Sequence, residues 1–141
     1  MTKVYIRKMM KHDITHEVSL TAYVFYEFFL GADSVYFQIE GEGIDYEVTF
    51  NNATDLRFGG EFKALCRKIG AQEGDFLLMT ENNCHHFSIS IEKSYQAFKS
   101  LYYPFFTGNR RHLIAVVENG FGRCSCKVAY GKNTYSCRTC G

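Results

Sequence analysis

Proline is nearly missing from this 141-residue chain, which carries only Pro104. That scarcity excludes Pro-rich linkers and polyproline recognition tracts. Tryptophan is absent altogether, yet thirteen Phe and ten Tyr supply ample apolar surface, which excludes disorder over most of the length. Net charge is almost absent as well. Sixteen Lys and Arg face fifteen Asp and Glu, so the total predicts no polyanionic partner. The longest apolar run, 22–30, is too short to span a bilayer and contains Glu27. No apolar segment follows the charged N-terminus, so no secretory signal is expected. These absences lead to an expectation of a cytoplasmic protein without a membrane partner, in which the six cysteines are thiols or metal ligands rather than disulfides. The length suits one domain with a single core and a small appendage.

Charge is distributed unevenly despite its small sum. Lys3, Arg7, Lys8 and Lys11 lead the chain, and Arg110, Arg111, Arg123, Lys127, Lys132 and Arg138 dominate its end. Asp33, Glu40, Glu42, Asp45 and Glu47 fall between them. Such a two-sided field can offer one face to phosphates while another repels them.

Alternation predicts a strand at 3–6, followed by a polar segment over 7–17 and a short strand at 18–20. Thr21 can cap a helix over 22–30, in which Val24, Phe25, Phe28 and Phe29 share a stripe that reads as core packing, and Gly31 would end it. A hairpin is expected from 35–39 and 44–50 around Gly41-Glu42-Gly43. Asn51 to Asp55 is turn chemistry, 56–58 a brief strand, and 61–69 a second helix burying Phe62, Leu65, Cys66 and Ile69. Gly74-Asp75 then leads into strand 76–79, with a return strand at 86–91. Residues 93–106 read as an aromatic helix and 111–118 as another strand. Short strands in hairpin order with two small helices define an α+β, mainly β chain: an antiparallel seven-stranded open pseudobarrel with a C-terminal helix/strand extension. The expected division is a pseudobarrel over 1–92, an extension packed on it over 93–119, and a cysteine-rich tail over 120–141.

The run from 18–30 through 46–54 to 61–76 and 86–91 resembles the DNA-binding pseudobarrel of the B-three superfamily, found in plant transcription factors and in specificity domains of several bacterial restriction enzymes. The likeness covers residues 3–92. It rests on a short strand leading into the first helix and on Tyr46-Glu-Val-Thr-Phe50 leading into the polar Asn51-Asn52-Ala53-Thr54. The second helix, Gly74-Asp75-Phe76 and the returning strand complete it. The resemblance implies two arms that grip the major groove, an N-arm over 7–16 and a C-arm over 51–57. It thereby nominates Arg7, Lys8, Lys11, His12, Thr15 and His16 on one arm and Asn51, Asn52, Thr54 and Arg57 on the other. These residue types suit the task independently. Arg matches guanine O6 and N7, Asn matches adenine N6 and N7, and Lys and Thr suit phosphate oxygens. The competing reading makes Asn51-Asn52 a simple turn and the lysines a solvated strand edge.

Near the C-terminus, Cys124-Ser-Cys126 and Cys137-Arg-Thr-Cys140 form two close pairs. Four thiolates supply the tetrahedral set of a structural zinc site, and a small tail with little core gains most from one. The alternative is a set of unrelated thiols. His85 and His86 beside Cys84 cannot readily share an ion, because neighbouring strand residues point to opposite faces.

Catalysis has thin support. Asp55 with Glu61-Phe-Lys63 can be written as a nuclease pattern, but Glu61 and Lys63 open an amphipathic helix, where an acid favours the dipole. No Ser/His/Asp set, phosphate-cradling loop or dinucleotide fingerprint is present. The sequence therefore leads to a non-enzymatic, sequence-specific double-stranded DNA-binding module, the target-recognition domain of a restriction system whose nuclease or motor subunit is a separate partner. Its alternatives are a small metal-dependent nuclease and a zinc-stabilised protein-interaction domain.

Overall fold

The computed structural model describes residues 2–51, 55–92, 112–117, 127–130 and 133–136. The expected helix over 93–106, together with Asn52, Thr54, Cys124, Cys126, Cys137 and Cys140, lies outside the described residues. Strands β1 (Thr2–Lys8), β2 (Ser34–Ile39), β3 (Asp45–Asn51), β4 (Arg57–Phe58), β5 (Phe76–Asn83) and β6 (His86–Glu92) build a curled, open sheet ordered β4-β3-β2-β6-β5-β1. Beyond β1 the order continues through β7 (His112–Val117), β8 (Lys127–Tyr130) and β9 (Asn133–Ser136). The helices are α1 (Lys11–Thr15), α2 (Ala22–Glu27) and α3 (Gly60–Ile69).

The sheet departs from an all-antiparallel arrangement at β2 and β6, which run parallel from Tyr36↔His86 to Ile39↔Ile89. The chain between them passes through β3, β4, α3 and β5, a connection long enough to return in the same direction. Residues 18–20, expected as a full strand, form only the isolated bridge Ser19↔Arg57. Two further bonds flank that bridge, with Leu20 N–H donating to the Leu56 carbonyl and Phe58 N–H to that of Val18, both at 2.9 Å. A third helix, α1, occupies the middle of the expected polar arm.

Local chemistry sets the helix boundaries. Thr21 caps α2 by accepting from Val24 N–H at 3.2 Å. The chain leaves this helix through two successive left-handed residues, Leu30 (φ 57°) and Gly31 (φ 64°). α3 ends on Gly70 at φ 76°, the left-handed cap that glycine adopts without strain. At its start, Gly59 N–H donates to the Thr49 carbonyl at 2.7 Å. A β-carbon at Gly59 would lie 2.4 Å from Thr49 Oγ1 and 3.0 Å from that carbonyl oxygen. This close approach seats α3 against β3.

The core is aromatic. Phe28, Phe29, Phe37, Phe58, Phe62 and Phe87 are buried together with Tyr5, and the Phe58 and Phe62 rings stack with centroids 3.8 Å apart. The stripe of Val24, Phe25, Phe28 and Phe29 is thus packing surface as expected, although α2 ends at Glu27, short of the expected 30, and Phe28 and Phe29 lie beyond it. Cys66 belongs to the same core, and burial pushes its thiol up to about 12. Val4, Tyr5 and Ile6 are all inaccessible to solvent, so β1 is buried on both faces. That suits a strand paired on one side with β5 and on the other with β7. Among the described residues no helix is long and apolar enough to cross a membrane.

Candidate nucleic-acid interface

The N-arm leaves the sheet at Met9, a buried residue clamped by two backbone bonds. Met9 N–H donates to the Asp75 carbonyl and Gly74 N–H to the Met9 carbonyl, each at 2.8 Å. The Gly-Asp turn therefore anchors the root of the arm. Gly74 sits at φ 88°, where a side chain would be strained. Asp75 closes the turn by accepting from Gln72 N–H at 2.8 Å.

Arg7 and Asp13 fix the course of the arm beyond that root. The Arg7 guanidinium donates to Asp13 Oδ1 and to the Ser19 carbonyl, both at 2.6 Å, and to the Tyr5 hydroxyl at 3.2 Å. The other Asp13 oxygen accepts Met10 N–H at 2.9 Å, starting α1. Because Arg7 only donates, the Tyr5 hydroxyl keeps its own proton for His112 Nδ1, 2.5 Å away. Arg7 is 1% exposed, and its Nε has no hydrogen-bond partner among the described residues. The structure corrects the expectation for this residue. Its guanidinium is engaged inside the fold and reaches no external base edge, and its task is to hold the arm.

The remaining N-arm residues are accessible. Lys8 is half-buried, whereas Lys11, His12, Thr15 and His16 are exposed. The His12 and His16 rings lie parallel at 4.6 Å, one helical turn apart. Thr15 Oγ1 donates to the Lys11 carbonyl at 3.1 Å and lies 2.7 Å from His16 Nδ1. A hydroxyl that has given its proton to a carbonyl accepts from that nitrogen, which leaves His16 Nε2 facing away from the contact.

On the C-arm, Asn51 is exposed at the end of β3 and pairs in register with Arg57 on β4. Arg57 donates from one terminal nitrogen to Glu17 Oε2 and from the other to Asp55 Oδ2, the latter at 2.8 Å. These two carboxylates raise the Arg57 pKa, with Glu17 the larger influence.

The arms meet. A cleft of about 720 Å³ is lined by His12, His16, Glu17 and Ser19 from one stretch of the chain and by Asp55, Leu56 and Arg57 from another. Leu20 forms part of its lining, and Lys63 enters from α3. The cleft thus gathers His12, His16 and Arg57 from the expected set, while Lys8, Lys11, Thr15 and Asn51 lie outside its walls. Sequence reasoning missed Glu17, Ser19 and Lys63 as members. Their common signal is position, since each lies within six residues of Leu20, Arg57 or Asp55, which the bridge between residues 19 and 57 draws together.

Glu61 lies elsewhere. Its carboxylate accepts from Thr49 Oγ1 at 3.0 Å and lines a separate groove of about 420 Å³ with Asp45, Tyr46, Glu47 and Lys68. Asp55 and Glu61, the acids of the nuclease pattern, therefore face different grooves. Among the described residues no group of three or more potential metal ligands gathers. His86 stacks on Tyr36 at 5.1 Å, while His85 sits in the turn between β5 and β6 at φ 66°.

No family model matches the chain, and no curated protein matches it. The fold itself is shared. The chain is similar to the N-terminal domain of Helicobacter pylori LlaJI.R1, with a TM-score of 0.64 and 21% sequence identity over 82% of this chain and 99% of that one.

Proposed function

We propose that the chain is a sequence-specific double-stranded DNA-binding module, and that the cleft between the two arms is where the duplex engages. One observation carries this reading: two segments some forty residues apart in sequence place His12, His16 and Arg57 around one open cleft. In this reading Arg57 reads a base edge, while Lys8, Lys11 and Thr15 contact phosphates along the flank. Asn51, with Asn52 and Thr54 beyond the described residues, extends the C-arm's reading edge. Arg7 positions the N-arm from within.

The likeness in fold to the N-terminal domain of LlaJI.R1 supports a restriction-system setting. A target-recognition domain working with a separate nuclease or motor subunit fits this setting. We further propose that Cys124, Cys126, Cys137 and Cys140 hold a structural Zn²⁺. In support, Lys127 pairs with Ser136 at one end of the β8–β9 hairpin, and the chain neighbours of that pair are Cys126 and Cys137.

Selection from a random duplex library tests the reading. Enrichment of one motif is expected. Arg57→Ala should relax preference at a single base position by about 1–3 kcal/mol, and Lys11→Ala should weaken all duplexes alike. Failure to enrich any motif would sink the sequence-specific assignment. Plasmid cleavage with Mg²⁺ that is lost in Glu61→Ala would instead establish a nuclease.

A further inference from the structure

We propose that Glu17 and Asp55 are specificity-determining residues, which withhold the Arg57 guanidinium from phosphates and leave it to a base edge. The inference rests on the duplex-binding reading above and assigns a task to two acids that a polyanion-binding cleft would not otherwise be expected to contain.

The geometry spans both arms. Glu17 directly follows the N-arm and Asp55 belongs to the C-arm, and each takes one terminal nitrogen of Arg57. Backbone pairing of Ser19 with Arg57 fixes the distance between them. Two carboxylates against one guanidinium leave this group with one net negative charge, and Lys63 brings the four ionised side chains to zero. A phosphate approaching Arg57 meets two carboxylates before it gains one cation. A guanine edge carries no net charge, so O6 and N7 meet weaker repulsion than a phosphate does. The guanidinium has five N–H donors, of which two serve the carboxylates and three remain. The carboxylate oxygens can in turn accept from the amino group of a neighbouring cytosine.

Stability is not the purpose of the cluster. The side chains of Arg57, Glu17 and Asp55 are 35%, 58% and 68% exposed, and ion pairs so open to water contribute little to folding. Replacing the acids should therefore leave the fold intact while changing what Arg57 binds.

The test compares wild type with Glu17→Gln, Asp55→Asn and the double variant. Each is titrated over a salt series with the duplex enriched from the random library and with a scrambled duplex. The variants should bind scrambled duplex more tightly, with a log affinity against log salt slope steeper by about 0.9 for one added phosphate contact. Their preference for the enriched duplex should fall roughly tenfold. An unchanged preference and slope, or weaker binding of the scrambled duplex, would overturn the proposal while the duplex reading stands. A wild type that binds no duplex defeats that reading, and this one with it.

Discussion

Arg7 and Asp13 meet at 2.6 Å with each side chain 1% exposed, a buried ion pair joining the end of β1 to α1. Removing one partner strands the other charge in a desolvated site, which costs far more than the pair contributes. Asp13→Ala should destabilise the protein by about 3–5 kcal/mol in urea unfolding, whereas replacing both residues with apolar side chains should cost much less than the two single changes combined.

A second prediction concerns the contact of β3 with α3. Gly59→Ala places a methyl group 2.4 Å from Thr49 Oγ1 and 3.0 Å from the Thr49 carbonyl oxygen. Overpacking of this kind should destabilise by about 1–3 kcal/mol, measurable as a lower urea midpoint at unchanged slope.

Cys66 gives a pH dependence with a definite sign. Burial raises its pKa from 9.0 to about 12, so the folded state keeps its proton where the unfolded chain has lost it. The stabilisation from the neutral thiol is complete below pH 9 and is lost as pH rises toward 12. Buried Tyr5, whose pKa is also raised by burial, pushes in the same direction. Unfolding free energy should fall across this window, and Cys66→Ala should flatten the decline. At neutral pH, alkylation followed by peptide mapping should label exposed Cys84 while Cys66 stays protected until denaturation.

The hairpin of β2 and β3, the amphipathic α3 and the buried aromatic stripe that begins in α2 were legible because each depends on local spacing. The parallel pairing of β2 with β6 was not, since alternation reveals a strand's faces but not its neighbours' direction. α1 was equally hidden, as five residues carry too few turns for a periodic signal. Arg7 misled for a related reason. A cation among Lys3, Lys8 and Lys11 reads as solvated until its partner Asp13, six residues on, is folded back beneath it. On the C-arm, Arg57 was legible as a candidate from its residue type, but its partner Glu17 was not, because it lies forty residues away.

Duplex binding should also reveal the cleft's cations one by one. Lys63→Ala, with Lys63 half-buried in the cleft wall, should weaken enriched and scrambled duplexes to similar extents and reduce the salt slope by about 0.9.

The most direct test of a shared cleft is an NMR titration with duplex DNA that tracks both arms at once. The His12, His16, Arg57 and Lys63 resonances should shift together, while Asp45 and Glu47 in the separate acidic groove stay in place. Shifts confined to one arm, or centred on Asp45 and Glu47, would contradict the account.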